Sequence, residues 1–346
     1  MLPTLVLLLM GGVTADRYDP RGLLMKLYLI AAVPVALLAV GAATDRLAIT
    51  GLFVYGLAIG TVSSFTMPAR DTLLSRVAGS DMMRAVTGAT AVQFGAQATG
   101  TLVAGAASFV GCAPMLAVQS ALLAWGAVAT ARVPASAPST ARHERTSVLR
   151  EIHEGLLDVA RSPQMRTSLG LTMAVGLLFI GPFIVLYPLL VRDHYQRGVD
   201  ALSLLLMLFP LGTIAGSIVL RRRGGIRRKG RAALLALTGG ALLMGSMGFG
   251  LPFGAMAGLT LTWGVCAAVF INCTRTLFQE AAPPTRRARA LSVYQLGFMG
   301  MGPLGALASG VLSARLGSLG ALQVFAAGML AVVAGAALLT DTARME

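Results

Sequence analysis

Charge is what this sequence has least of. Asp, Glu, Lys and Arg together make up 12% of the 346 residues, about half the share found in ordinary soluble domains. A chain so poor in charge and 56% hydrophobic reads as a membrane protein. Only 14 residues are acidic, and none falls inside an apolar run, so no paired carboxylates are expected for acid–base chemistry. The three cysteines, Cys112, Cys266 and Cys273, are scattered through apolar sequence, which excludes a disulfide framework and zinc-ligand spacing. The three histidines, His143, His153 and His194, all lie in polar connections without a second ligand on a shared helix face. No metal and no cofactor are therefore expected. There is no Ser/His/Asp arrangement and no phosphate-cradling glycine loop after a strand, and the chain is read as not an enzyme.

What is abundant is apolar sequence in long runs. Eleven segments stand out, at 1–15, 23–43, 47–69, 85–110, 113–131, 167–191, 201–220, 232–251, 254–274, 290–314 and 316–340, with Lys26 the one charge inside any of them. About 20 apolar residues cross roughly 30 Å of hydrocarbon, so each is read as a span, the first being short. The net charge of +14 could suggest nucleic acid as a partner. A nucleic-acid footprint needs its basic residues on one accessible face, whereas here they sit in loops between spans. Of the 28 basic residues, 24 fall in the connections around 16–26, 70–84, 132–166, 221–231, 275–289 and the tail; the other four are Arg46, Arg192, Arg197 and Arg315. The positive-inside rule makes the first set, and with it the C-terminus, cytoplasmic. Residues 1–10 are apolar but lack the basic start of a signal peptide.

The chain also repeats itself. Arg70, Arg84, Ala85, Gly95, Gly100 and Gly105 are matched 205 residues later by Arg275, Arg289, Ala290, Gly300, Gly305 and Gly310; Gly12 and Gly60 are matched 204 residues later by Gly216 and Gly264. The segment 167–191 has no partner in the first half. Parallel repeats are one way in which transporters are built. The expectation is a chain that lacks a first helix and the start of the second, roughly 40 residues by the same offset, from a plan of twelve spans.

Between the first two apolar runs lies a dense charge cluster, 12–21. Gly12, Asp16, Arg17 and Arg21 resemble the signature between the second and third helices of major facilitator transporters, although Asp19 and Gly22 stand where that family usually has a glycine and a basic residue. Asp16 closes a helix at headgroup level, where its carboxylate can meet guanidinium groups or the positive N-terminus of a nearby helix. Residues 132–147 read as a linker rich in alanine, serine, threonine and proline. Val148, Leu149, Ile152, Leu156, Leu157 and Val159 then recur at helical spacing among charges, describing an amphipathic helix. Glu154, Gly155, Leu156, Ser162, Pro163 and Arg166, then Pro68, Ala69, Arg70, Leu73 and Leu74, and the glycine-rich 297–310, are similar to the enterobactin-exporter-like, or transmembrane secretion effector, branch of that family.

That resemblance implies an all-α membrane protein of the major facilitator fold: two six-helix bundles related by a pseudo-two-fold axis, with eleven of twelve transmembrane helices present. The divisions would be an N-terminal bundle at 1–131, a cytoplasmic linker at 132–164 and a C-terminal bundle at 165–346. The implied function is secondary export of a small amphipathic molecule, siderophore-like or drug-like, by alternating access, from a bacterial-type inner membrane and as a monomer. The gate would be Gly12, Asp16, Arg17, Arg21 and Arg70, with Asp16 paired to Arg70 or Arg17 and Arg21 holding the turn. In the second half Leu220 stands where the aspartate would sit.

Polar groups inside apolar spans are the default substrate candidates, being costly unless satisfied. Gln93 and Gln97 lie one turn apart; Tyr55, Gln119, Asn272, Tyr294 and Gln295 are singletons; Phe179, Phe183 and Tyr187 form an aromatic stripe. Core packing and helix-to-helix hydrogen bonds are the commoner explanation of each one taken singly, and only the set suggests a pathway. Gly95, Gly100, Gly105, Gly300, Gly305 and Gly310 would let helices approach closely. Proton coupling needs a titratable carrier, expected in the missing first helix because no span holds an acid. The rival reading is a truncated, non-transporting membrane remnant or scaffold.

Overall fold

A backbone out of reach of water must satisfy its own amides, and in the computed structural model every regular element among the described residues is helical. The described residues are 2–46, 49–78, 81–105, 110–133, 148–222, 226–283 and 287–340. The expected linker at 134–147, the span ends at 106–109 and the tail lie outside them, as do the side chains of the first part of the amphipathic helix.

The helices are α1 (Leu2–Arg17), α2 (Pro20–Ala43), α3 (Ile49–Val77), α4 (Met82–Gly105), α5 (Cys112–Ala131) and the amphipathic α6 (Val148–Arg161). A long run follows, made of α7 (Pro163–Val175), a π-helical turn π1 (Gly176–Ile180), α8 (Gly181–Leu189) and a second π turn π2 (Leu190–His194). Then come α9 (Val199–Arg222), α10 (Lys229–Met247), α11 (Phe253–Ala281), α12 (Arg287–Gly300) and α13 (Gly302–Leu339). Helix starts follow local chemistry. Asp19 caps α2 by accepting from the Gly22 amide at 2.9 Å, ahead of Pro20; Ser162 caps α7 through the Met165 amide at 3.3 Å, ahead of Pro163. Both are serine- or aspartate-type caps followed by proline in the first turn. Inside α13, Gly317 turns the chain at φ 71°, a left-handed conformation that favours glycine.

The eleven expected spans become eight helical runs long and apolar enough to cross a membrane among the described residues. α1 has 16 residues and falls short. α4 carries Arg84, two glutamines and four threonines and is too polar to qualify. The last two segments form one run, Arg287–Leu339. The internal repeat reappears in the element bounds: α3 and α11 have 29 residues each and begin and end 204 positions apart, and α4 and α12 begin 205 apart.

The chain divides into two compact units. Unit 1 takes residues 1–79, 102–161 and 282–296. In it α1 packs on α3, α2 lies against α3 and α5, and α6 touches α1, around a small core of Ala15, Leu24, Ala69 and Ala288. Unit 2 takes 80–101, 162–281 and 297–346. There α9 packs along α11, α10 lies against α11 and α13, and the α7–α8 run lies on α13. Each unit thus includes the start of a helix from the other half of the sequence.

Close approach in unit 2 rests on Gly305 of the expected glycines and on others outside that set. A Cβ added at Gly95, Gly100 or Gly310 would meet nothing within 4 Å among the described residues, whereas one at Gly305 would run into the backbone of Leu177. At the crossing of α9 and α11, a Cβ on Gly212 would strike the Leu261 carbonyl and one on Gly264 the Phe209 carbonyl. Backbone atoms cannot swing aside as a flexible side chain can. Replacing Gly264 by leucine is therefore expected to destabilise the protein by about 1–3 kcal/mol, the cost of overpacking. Gly258→Leu, which meets open space, should change stability by less than about 0.5 kcal/mol. Thermal unfolding of the purified proteins in one detergent checks the difference.

Candidate functional site

Two arrangements of side chains stand apart from ordinary packing. The first, in unit 1, is built on the charge cluster between α1 and α2. Asp16, the penultimate residue of α1, is only 7% exposed. Its two carboxylate oxygens accept hydrogen bonds from the first-turn amides of α12, Ala288 at 3.0 Å and Arg289 at 3.1 Å. The Arg289 Nε lies 3.3 Å from Asp16 Oδ2, and its Nη1 lies 3.8 Å from Glu154 Oε2 on the amphipathic α6. An anion on exposed helix-start amides is favoured both by hydrogen bonding and by the helix dipole.

Gly12, one turn earlier, makes the approach possible: a Cβ there would collide with the Ser292 hydroxyl and the Ala288 carbonyl. Gly155 does the same for α6, its added Cβ standing 3.1 Å from that of Arg289. Sequence reasoning named a helix N-terminus as one partner for Asp16, and that is where the carboxylate lies. Arg289 and Glu154 were not singled out as its partners. The signal was available, since Arg289 is the repeat partner of Arg84.

Arg17 is exposed. Arg70 places its Nε 3.8 Å from Asp71 Oδ1. Arg21 donates a short hydrogen bond to the Ala131 carbonyl at the end of α5, so it secures a neighbouring helix C-terminus as well as standing in the turn. No acid falls inside an apolar run, yet one just beyond such a run is buried, where no buried carboxylate was expected. α3 runs past the charged residues to Val77, and Asp71 within it is fully buried, accepting from Gln295 Nε2 at 3.3 Å. A charge marks where lipid ends better than where a helix ends, and a buried carboxylate is tolerated where donors meet it.

The second arrangement is a cavity of about 400 Å³ inside unit 2. Of the ten pathway candidates, Gln93, Gln97, Phe179 and Phe183 line it. Trp263 of α11 is the hub of the wall. Its ring centroid lies 5.3 Å from that of Phe179, 5.8 Å from Phe183 and 5.2 Å from Phe209, all in edge-on geometry. Phe94 adds a further edge contact to Phe209 at 6.5 Å. Edge-to-face aromatic clusters of this kind gain about 0.5–1.5 kcal/mol per pair beyond burial. The π1 turn lies just before Pro182, whose ring nitrogen has no hydrogen to give. A wide turn of this type is found at functional sites, and here Phe179 falls within it.

The remaining candidates are placed elsewhere. Tyr187 is fully buried behind Trp263, its hydroxyl 3.2 Å from Thr260 Oγ1 and 3.4 Å from Met247 Sδ. Asn272 joins α11 to α9 through Ser217 Oγ at 3.2 Å. Gln119 donates to the Tyr55 hydroxyl at 3.2 Å in unit 1, and Tyr294 and Gln295 also belong to unit 1. Trp263 and Phe209 were missed because single aromatics in apolar spans look like core, and only their convergence distinguishes them.

A polytopic helical membrane protein with a latched helix start and an aromatic cavity is the class these features define. The sequence matches the model of the Major Facilitator Superfamily over residues 1–306, and the chain belongs to that family of membrane transporters. No curated protein matches it by sequence. Among solved structures it is similar to the human organic anion transporter MFSD10 (TETRAN), at TM-score 0.80 and 16% identity, covering 96% of this chain and 80% of that one. A bacterial homologue of the iron transporter ferroportin gives TM-score 0.69 at 14% identity, with 96% and 86% covered. The E. coli fucose:proton symporter FucP gives 0.67 at 15%, with 95% and 85% covered.

The latch geometry generates a measurable expectation. Asp16→Asn removes the charge that both α12 amides and Arg289 answer. It should cost about 1–3 kcal/mol, the range for hydrogen bonds to charged groups, while membrane insertion stays unchanged. Tyr55→Phe, which removes an exposed pair, should be near neutral. Thermal unfolding and the membrane-fraction yield of each variant check both points.

Proposed function

We propose that the chain is a secondary transporter exporting a small amphipathic molecule, siderophore-like or drug-like, by alternating access, and that it belongs to the enterobactin-exporter-like branch. The observation that carries this reading is the cavity in unit 2, large enough for a small molecule and walled by aromatic rings with two neutral amides at its edge. In this reading bundles at 1–131 and 165–346 are joined by the linker at 132–164. The basic connections and the C-terminus face the cytoplasm across a bacterial-type inner membrane, and the protein works as a monomer. Asp16, Gly12, Arg289 and Glu154 form the latch. Asp71 is a buried carboxylate on which proton coupling could draw, beside any carrier in a first helix.

The missing first helix is supported by the repeat. In the second half, Tyr187 and Phe179 on the α7–α8 run cover Thr260, at 0% exposure, and Trp263, at 3%. The positions 204 earlier on α3 are Gly56, which is exposed, and Ile59, which is half-buried. Leu52, the counterpart of the buried Met256, is 50% exposed. An apolar helix lying on this face of α3 would complete the pattern. The same uncovered face favours the second reading, a non-transporting remnant.

Accumulation of a fluorescent amphipathic dye separates the two. Cells would express either the chain itself or the chain with the first helix of a related transporter fused ahead of Met1. Lower accumulation than in vector controls, deepened by the added helix and lost in Asp16→Asn, is the expected result. Accumulation equal to the control with both proteins, each present in the membrane, would leave the remnant reading.

A further inference from the structure

The chemistry of the unit 2 cavity defines its occupant more narrowly than an amphipathic molecule, and this step rests on the reading of that cavity as the substrate site. None of the lining side chains among the described residues is ionised. An anionic or cationic group placed there would lose its hydration without a counter-charge, at a cost of several kcal/mol. A bare metal ion would find no carboxylate or imidazole in the wall. A polyol would bring many hydroxyl groups to a surface whose polar side chains are mainly Gln93 and Gln97, and each unanswered hydroxyl is costly.

The rings are arranged to receive another ring. Phe179, Phe183 and Phe209 stand edge-on around Trp263, and Phe94 continues the series towards the amides of α4. Aromatic rings prefer offset or edge contacts at centroid separations of about 4.5–7 Å, so an inserted planar ring system finds partners on several sides. One polar group in this wall is also unanswered. Trp263 lines the cavity at 3% exposure, and no hydrogen bond joins its indole N–H to a described residue. An indole N–H is a donor only, so a group that fills the cavity can answer it with an acceptor. We propose that the cavity binds an uncharged planar aromatic molecule bearing a carbonyl-type acceptor for the Trp263 N–H, with Gln93 and Gln97 meeting its more polar end.

The chain's two tryptophans make the test direct. Trp125 is 63% exposed and lies in unit 1, so Trp125→Phe leaves Trp263 as the sole indole reporter. The purified full-length protein is titrated with xanthone, which is planar, uncharged and carries a ring carbonyl. Fluorene, which lacks the carbonyl, anthracene-9-carboxylate, which adds a negative charge, and fucose serve as comparisons. The expected result is saturable change in Trp263 emission with xanthone, at least fivefold weaker apparent affinity for fluorene and for the carboxylate, and no competition by fucose. Phe209→Ala and Gln97→Ala, each confirmed as monodisperse by size exclusion, should weaken xanthone binding at least threefold.

The Trp263→Phe protein reports detergent partitioning through Trp125 and should respond linearly without saturation. An unsaturable Trp263 response, or equal affinities for xanthone, the carboxylate and fucose, overturns the inference. That failure is distinct from failure of the transporter reading. Dye export with no Trp263 response leaves transport standing and removes this ligand class; saturable xanthone binding without export does the reverse.

Discussion

A carboxylate taken out of water has to be answered by donors, and the arrangement of unit 1 follows from how Asp16 is answered. Its oxygens take two first-turn amides of α12 together with the Arg289 guanidinium, and that demand fixes where the end of α1 can stand. The contact is possible only because Gly12 has no side chain to hold α12 away. Arg289 in turn reaches Glu154, so α6, lying outside the two apolar helices, is tied to the same ion cluster. With both charges at or below 5% side-chain exposure, neither partner can be lost without leaving the other buried, the condition under which an ion pair specifies geometry more than it adds stability.

The cavity of unit 2 follows the opposite condition, a lining without ionised side chains among the described residues. The unit's core is built from the α7–α8 run, α9, α10, α11 and α13, and some of its buried polar side chains are joined in pairs. Tyr187 meets Thr260, and Asn272 meets Ser217. Backbone approach at Gly212, Gly264 and Gly305 takes the place of side-chain interlocking, in keeping with helix association in lipid, where small residues allow dispersion contacts between backbones. Phe179 and Trp263 belong to the buried core of this unit and wall the cavity as well. The two prolines of α8 and the flanking π turns place that irregularity on the helix that supplies Phe179 and Phe183.

Membrane class, helical architecture and the internal repeat were legible in the sequence because they are written in runs. Hydropathy over 20 residues and an offset near 204 survive any uncertainty about single side chains. The place of Asp16 was half legible. Its position at a helix end beside a glycine implied a partner with exposed donors, but which helix offered them depends on a contact spanning 272 residues. Asp71 was hidden by its neighbour: beside Arg70 it reads as the start of a polar loop, and only the continuation of α3 buries it. The glycines show the limit of pattern. Gly95, Gly100 and Gly305 are indistinguishable by spacing, yet one of the three meets a backbone.

The two regions also differ in what a substitution can reveal. In the latch each polar atom serves as partner to another charged group, so a change there moves stability and any motion of the helix start together. In the cavity the aromatic side chains support one another through edge contacts, while Gln93 and Gln97 stand at its exposed side. Removing an amide from that edge leaves the Trp263 cluster and the α9–α11 crossing intact. Under the proposal that this cavity holds the substrate, selectivity can vary at Gln93 and Gln97 on α4 without disturbing the packing that holds the rings.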